Sequence, residues 1–224
     1  MVQSLINDDA AEIYQLRIWF KGISPMIWRR ILVENNRSLA ELHYAIQISM
    51  GWSDTYLHQF DIWGKKYGLH YAGGLSFADN ARNIFLKDFQ FRINEKFVYE
   101  YNFFDHWVHA IRLEKKLPVD SRKKYPRCIG GSCAVPPEDC GGSLSFMELK
   151  DYYSVWKIEE KIIKAIEQYE EEKDRESFNE TIENLEYWLT FHKFDQKKIN
   201  HQLQRHFNFK EESQLNLEEI KNED

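Results

Sequence analysis

The sequence predicts an α+β fold: an antiparallel sheet with a helix packed on one face, completed by a C-terminal group of helices. Apolar residues alternate with polar ones in several segments of the first half, which is the period of a half-buried strand. In the second half they recur every three or four residues, as along one face of a helix. The chain has 224 residues, of which 43% are hydrophobic and 15% aromatic, so it can bury a large core built from aromatic rings.

The same patterns divide the chain into three parts. Residues 11–155 should form the α+β core, residues 156–209 the C-terminal helices packed on it, and residues 210–224 a flexible acidic tail. The helical segments carry apolar stripes and are too short to be stable alone. We therefore expect them to dock on the core rather than stand free in water.

Three strands are predicted before the middle of the chain. Residues 13–20 alternate between apolar and polar side chains, and residues 26–33 do the same after a short turn. A short connection favours antiparallel pairing of the two strands. Residues 56–63 form the third strand, with His58 on its core face beside apolar neighbours.

A β-hairpin is predicted over residues 97–113. Aromatic residues alternate on the way in, and apolar residues alternate again on the way out. If the chain reverses at residues 104–106, Tyr101 lies directly opposite His109 on one face of the hairpin. The phenol could then fix the tautomer of the imidazole, or the two could simply hydrogen-bond on the sheet.

Capping signals mark the helices. Ser38 and Glu41 form a capping box, and Gly51 is placed to end the helix that follows. A second box at residues 145–148 predicts another helix that runs to about residue 156. Further stripes at helical spacing lie in residues 158–169, 178–189 and 195–207.

One stretch, residues 126–142, differs in composition from the rest. It contains all three cysteines, with Pro126, Pro136 and Pro137 and several glycines. Proline lacks an amide donor and glycine costs most to order. We therefore predict that the whole stretch is an irregular loop and that it carries the functional site.

The cysteines of this loop suggest a zinc site. Cys128 and Cys133 have a spacing close to that of structural zinc ligands, and Cys140 offers a third thiolate. His58 or His109 would have to supply the fourth ligand of a tetrahedral site. Ordinary free thiols and ordinary buried histidines explain the same residues, so both interpretations stay open.

Acid–base catalysis is an alternative use of the same loop. Glu138 and Asp139 could act together with His109 and Asp105, because paired carboxylates beside a histidine can divide acid and base work. Carboxylates that follow proline more often accept hydrogen bonds from loop amides. The sequence does not decide whether the protein is an enzyme.

A basic run before the loop suggests an anion site. Arg122, Lys123, Lys124 and Arg127 stand beside glycines whose amides could help to bind an anion. A solvated loop explains the run equally well. Weak contact with DNA would use these cations together with Arg29, Arg30 and Arg37.

The overall charge limits the classes of partner. A formal charge of −6 and a pI near 5.8 argue against tight sequence-specific binding of nucleic acid or of an anionic membrane. No window approaches the roughly 20 apolar residues of a membrane span. The N-terminal residues do not read as a secretion signal, and the cysteines are too few for a disulfide framework, so we expect a cytoplasmic protein.

Six segments of the chain carry a resemblance to a known family, and they are residues 24–30, 39–52, 57–60, 101–109, 136–142 and 194–195. Through these segments the chain resembles the plasmid Ri ORF-three-like family over residues 13–207. The resemblance implies a compact α+β fold and an association with plasmids and transposons, and it implies no defined activity.

The hairpin departs from the pattern of that family. The family has Tyr-Asp-Phe-Gly-Asp followed by Trp-Glu-His, and here Asn102, Phe104 and Val108 replace an acid, the glycine and the glutamate. Any activity that depended on those two acids would be lost in this chain. The residues of the pattern that persist after the substituted positions are Asp105, Trp107 and His109.

Overall fold

A seven-stranded antiparallel sheet organises the fold. The computed structural model describes residues 11–69, 77 and 79–208. The strands are β1 (Glu12–Phe20), β2 (Trp28–Glu34), β3 (His58–Ile62), β4 (Lys65–Tyr67), β5 (Lys96–Tyr101), β6 (Trp107–Pro118) and β7 (Arg127–Ser132). Their order in space is β4-β3-β5-β6-β1-β2-β7, and every neighbouring pair is antiparallel. The predicted α+β class is confirmed.

Helices pack on this sheet and beside it. They are α1 (Leu39–Met50), α2 (Gly142–Tyr152), α3 (Val155–Glu172), α4 (Arg175–Thr190) and α5 (196–208), with short 3₁₀ turns at Ala81–Asn83 and Leu86–Phe89. Among the residues that the structure describes, no helix combines the length and apolar character needed to cross a membrane.

The ends of α1 are set by local hydrogen bonds, as predicted. Ser38 Oγ accepts from the amide of Glu41 at 3.2 Å, and Glu41 accepts from the amide of Ser38 at 2.8 Å. This capping box satisfies amides that the first helical turn leaves unpaired. Gly51 ends the helix with a left-handed φ of 69°, a conformation that glycine adopts without strain.

The C-terminal helices contact the core. The amide of Ala134 donates to the carbonyl of Phe191 at 2.6 Å, which ties the end of α4 to the segment after β7. On α5, the side chain of Asn200 bonds both the amide and the carbonyl of Cys128 at 2.8 Å. Their apolar side chains join the same buried cluster as the sheet and α1. The predicted tail, residues 210–224, lies outside the described residues.

The register of the predicted hairpin was wrong by two residues. Tyr101 lies opposite Trp107, and Tyr99 lies opposite His109. The connection is longer than predicted because Asn102 and His106 both adopt left-handed φ angles, of 52° and 57°. The side chain of Asn102 accepts from the amides that follow it and stabilises this wider turn. Because the shift is an even number of residues, each side chain stays on its predicted face of the sheet.

The prediction that the whole stretch 126–142 is an irregular loop was wrong. Its first part is β7, an edge strand that pairs with β2. An aromatic ring explains one of its glycines: a Cβ on Gly131 would lie 2.5 Å from the ring of Phe194, whereas one on Gly130 would make only an ordinary contact with Trp28 at 3.5 Å. Backbone hydrogen bonds to the distant strand β2 thus make this segment a strand, although its glycine content favours a loop.

The start of α2 also differs from its prediction. The helix begins at Gly142, before the expected box at residues 145–148, and Gly141 precedes it without a side-chain cap. It ends at Tyr152, and a separate helix, α3, follows. The early start brings the first turn of α2 against the β5–β6 hairpin, where Gly142 meets the backbone of Asp105.

Candidate functional site

Two buried histidines stack on each other between α1 and the sheet. The rings of His43 on α1 and His58 on β3 are nearly parallel, with an angle of 8° and centroids 3.5 Å apart. Their exposed fractions are 0% and 2%. Asp54, in the connection between α1 and β3, places its Oδ1 2.7 Å from Nε2 of His43. Within residues 11–69, 77 and 79–208, these three residues form the single cluster whose potential metal-ligand atoms lie within 4.8 Å of one another.

Simple periodicities bring the cluster together. Leu39, His43 and Gln47 are four residues apart along α1 and so lie on one face of the helix. That face is buried against the sheet. His58 alternates with Phe60 on the core side of β3, which points its ring at the same layer.

A buried tyrosine orients His43. The hydroxyl of Tyr99 lies 2.8 Å from Nδ1 of His43, and the side-chain amide of Gln47 donates to the same hydroxyl at 2.8 Å. Burial raises the pKa of Tyr99 well above its ordinary value, so the phenol stays protonated. His43 therefore has both ring nitrogens held, one by Tyr99 and one by Asp54.

His58, unlike His43, is not oriented by hydrogen bonds to its ring. Neither of its ring nitrogens has a hydrogen-bond partner among the described residues. Burial, and then the neighbouring His43, lower the pKa of His58 well below its ordinary value. A buried polar group without a partner is destabilising and calls for an explanation. A neutral imidazole with free nitrogens is also the form that binds metal ions.

The loop after β7 covers this region through Glu138. Its carboxylate accepts from the amide of Ser53 at 2.9 Å, from the hydroxyl of Ser53 at 2.7 Å and from the hydroxyl of Tyr101. The carbonyl of Glu138 accepts from the indole of Trp107 at 2.9 Å, and that of Pro136 from the indole of Trp52 at 3.0 Å. The loop is thus fixed to the α1–β3 connection and to the hairpin.

The other acids predicted for catalysis also make structural contacts. Asp139 accepts from the hydroxyl of Tyr56 at 2.6 Å, and Asp105 accepts from the amide of Gly141 at 3.1 Å. His109 is 0% exposed and lies among aromatic rings, and its nitrogens make no hydrogen bond with described residues. The structure brings the acids to one end of the sheet without linking them to His109.

The three cysteines do not converge on one point. Cys128 is buried on β7 with its thiol 3.5 Å from the carbonyl of Gly130, and Cys133 follows at the end of that strand. An extended chain would separate these two positions by roughly 16 Å. No described group of three clustered ligand atoms includes Cys128, Cys133 or Cys140. Of the predicted zinc ligands, only His58 belongs to a cluster, and its neighbours there are His43 and Asp54.

The predicted anion site is partly neutralised. Arg122 and Lys123 both contact Asp120 at 3.0 Å. Their hydrogen bonds lower the pKa of Asp120 to about 2. Lys124 is exposed, and Arg127 lines a groove of about 1180 Å³ between the end of α1 and the α4–α5 connection. The four cations therefore do not surround one position.

Four residues of this centre were not predicted from the sequence: His43, Asp54, Gln47 and Tyr99. One signal was present: His43 and Gln47 are polar residues on the otherwise apolar face of α1. Such residues need partners in the core. The partner of both, Tyr99, is far away in sequence, so the cluster itself could be found only from the fold.

The fold and this centre define a class: an α+β protein in which two buried histidines, between one helix and an antiparallel sheet, meet a partly exposed aspartate. The chain belongs to the family of plasmid pRiA4b ORF-3-like proteins, whose model matches residues 12–203. This confirms the resemblance drawn from the sequence.

The chain is also similar to two known proteins. The chain is 29% identical over 139 residues to the uncharacterized protein y4hQ of Sinorhizobium fredii (strain NBRC 101917 / NGR234), covering 62% of this chain and 71% of that protein. It is also similar to the crystal structure of MM3350, a protein of unknown function from Methanosarcina mazei Go1. That match has a TM-score of 0.61 and 31% identity, and it covers 85% of this chain and 98% of the other.

Proposed function

We propose that this chain is a binding or accessory protein whose centre holds a divalent transition-metal ion, of the zinc or iron(II) class, through His43, Asp54 and His58. One observation carries the proposal: two buried imidazoles and a carboxylate converge, and one of the imidazoles has no other described partner. Two histidines and one carboxylate are the protein ligands of many open zinc and iron(II) sites.

Small movements would let the ion bind. Nε2 of His43 and Oδ1 of Asp54 are 2.7 Å apart, and an ion about 2.1 Å from each needs them about 3 Å apart or slightly more. The ion would replace the hydrogen that the two atoms share. Nδ1 of His43 would then carry the hydrogen and donate it to Tyr99, as metal-bound histidines usually do. His58 must turn from its stacked position, and it has no hydrogen bond to lose.

The charge around the centre supports a cation as ligand. Residues 51–58, 102–109 and 133–142 meet at this end of the sheet and contain Asp54, Asp105, Glu138 and Asp139 but no lysine or arginine. Burial, and then the charge of Asp105, raise the pKa of Cys140 to about 11. A negative environment of this kind raises the local concentration of cations.

Metal titration tests the proposal. Chelator-treated protein without an affinity tag should bind about one equivalent of Zn²⁺, and His58→Leu should weaken the affinity about 100-fold or more. Loss of an outer-shell partner alone weakens metal affinity by about 10–100-fold, and His58 would be a ligand. Competition with a chromophoric chelator measures the affinity.

Matched variants separate this centre from the cysteine site. His109→Leu makes the same exchange at an equally buried histidine and should keep the affinity, as should Cys140→Ser. The Co²⁺ complex should lack the ultraviolet charge-transfer band of thiolate ligands. A chain that binds no Zn²⁺ would contradict the proposal, and so would a His58→Leu variant that binds as tightly as the parent chain.

Nucleic-acid contact remains a secondary prediction. Arg30 is paired with Glu114 at 2.6 Å, and Arg29 is buried and donates to backbone carbonyls. We therefore expect weak DNA binding that is lost between about 50 and 200 mM salt, because few phosphates can be neutralised. Fluorescence anisotropy with labelled duplexes checks this, and nanomolar binding near physiological salt would contradict it.

The cellular setting is also part of the proposal. All three cysteines are free thiols, which supports a reducing environment such as the cytoplasm. The plasmid origin of the family's description supports an association with plasmids or mobile elements. Both points are compatible with an accessory role.

A further inference from the structure

We propose that Glu138 is a positioning residue for the metal centre: it holds the α1–β3 connection so that the carboxylate of Asp54 faces His43. This inference rests on the proposed function. It gives the loop after β7 a role that neither the cysteine site nor acid–base catalysis provides.

Asp54 needs support from its surroundings. Its φ is 59°, in the left-handed region that residues other than glycine seldom occupy. Such a conformation persists when neighbouring contacts over-determine it. The direction of the Asp54 side chain, and so its 2.7 Å contact with His43, depends on this backbone angle.

Glu138 and Tyr101 supply the contacts on both sides of Asp54. The residue before it, Ser53, gives its amide and its hydroxyl to the same carboxylate oxygen of Glu138, at 2.9 and 2.7 Å. The other oxygen accepts from Tyr101. Tyr101 in turn accepts from the amide of Tyr56 at 3.1 Å, two residues after Asp54. The connection is therefore held on each side of the metal ligand.

Both holding residues are themselves fixed. Tyr101 is fully buried on β5 and stacks on Trp52, with centroids 5.3 Å apart. The backbone of Glu138 is held by the indole of Trp107. Because the supporting groups are rigid, they can transmit a defined position to Asp54.

The carboxylate of Glu138 is chemically required. It accepts three hydrogen bonds, and hydrogen bonds to an ionised acceptor are stronger than those between neutral groups. A glutamine at this position would present one oxygen and one NH₂ group. With its oxygen on Ser53 it would keep those two contacts, but its NH₂ group could only donate to the Tyr101 oxygen, and the hydrogen of Tyr101 would lose its charged acceptor.

The test measures Zn²⁺ affinity in the full chain. Glu138→Gln should weaken binding by about 10-fold and Glu138→Ala by up to about 100-fold, the range for outer-shell partners. Glu148→Gln is the matched control, since it makes the same exchange at an exposed acid on α2 and should change affinity by less than about 3-fold. Circular dichroism and thermal unfolding verify that each variant is folded.

A double-mutant cycle separates positioning from general damage. If Glu138 acts through Asp54, Glu138→Gln should have no further effect on Zn²⁺ affinity in a chain that carries Asp54→Asn. Additive losses would overturn the inference. Tyr101→Phe provides a second route if the Glu138 variants do not fold, because it removes the hydroxyl that links Glu138 to Tyr56 and should weaken binding by about 10-fold.

The outcomes also separate the two proposals. A parent chain that binds no Zn²⁺ overturns both the metal centre and the positioning role. A parent chain that binds Zn²⁺ while Glu138→Gln and Glu138→Ala bind equally well overturns only the role of Glu138.

Discussion

Replacing Gly142 by alanine should lower the free energy of unfolding by about 3 kcal/mol or more. A Cβ at this position would lie 2.0 Å from the carbonyl oxygen of Asp105, and the φ of Gly142 is 80°. The left-handed conformation alone costs a residue with a side chain about 1–2 kcal/mol. The collision involves backbone on the β5–β6 hairpin, which cannot turn away as a flexible side chain can, so overpacking adds a further 1–3 kcal/mol or so.

Gly51→Ala is the matched control for this prediction. Gly51 has a similar φ of 69°, and a Cβ there would meet nothing within 4 Å. Its replacement should therefore cost only the conformational part, about 1–2 kcal/mol. Denaturant unfolding of both variants measures the difference. Equal losses of stability in the two variants would contradict the predicted collision between the new Cβ and the carbonyl oxygen of Asp105.

Features that depend on neighbouring residues could be predicted from the sequence. The start of α1 at Ser38 and its end at Gly51 follow from hydrogen bonds and a φ angle within a few residues. The alternating strands were recognised for the same reason, because burial of one face imposes a period of two. Such signals identify elements and their exposed and buried faces.

Features that depend on distant partners could not be predicted in this way. The edge strand β7 forms because β2 offers a free edge, and its glycines taken alone argued for a loop. The hairpin register depended on left-handed angles at Asn102 and His106, which are not glycines and gave only a weak turn signal. A shift by two residues keeps each side chain on its face, so the error left the predicted core unchanged.

The candidate centre shows the same limit. The cysteines drew attention because they are close in sequence, but an extended strand separates Cys128 from Cys133. His43, Asp54 and His58 come from a helix, its connection and the next strand. They meet because α1 folds back over the sheet onto Tyr99, which no local pattern indicates. Of the predicted zinc ligands, His58 lies in this centre.

Lowering the pH from 8 to 5 should destabilise the protein by about 2 kcal/mol through His109 alone. Burial lowers the pKa of His109 to about 3, and the nearby backbone of Tyr99 and Trp107 offsets only part of this effect. The unfolded chain takes up a proton near pH 6.5, whereas the folded chain does so only near pH 3. Between these values the unfolded state binds the extra proton, so stability falls as the pH falls, by about 1.4 kcal/mol per pH unit.

Carboxylates alter the stability of the protein in a lower pH range than His109 does. Burial alone would raise the pKa of Glu114, but hydrogen bonds from Arg30 and Gln15 lower it to about 2. Its contribution to stability is present above the unfolded value, near pH 4.3, and is lost as the pH falls from there toward 2. Measurements above pH 5 therefore report mainly on histidines.

His109→Leu should remove this part of the pH dependence. The variant takes up no proton at this position in either state, so its unfolding free energy should change about 2 kcal/mol less than that of the parent between pH 8 and pH 5. Other titrating groups act in both chains and cancel in the comparison. Urea unfolding of the parent and the variant at several pH values, with a chelator present, measures the two slopes. An unchanged slope for His109→Leu would show that His109 binds its proton equally well in the folded and unfolded chains, and so that it is not a neutral residue of the core.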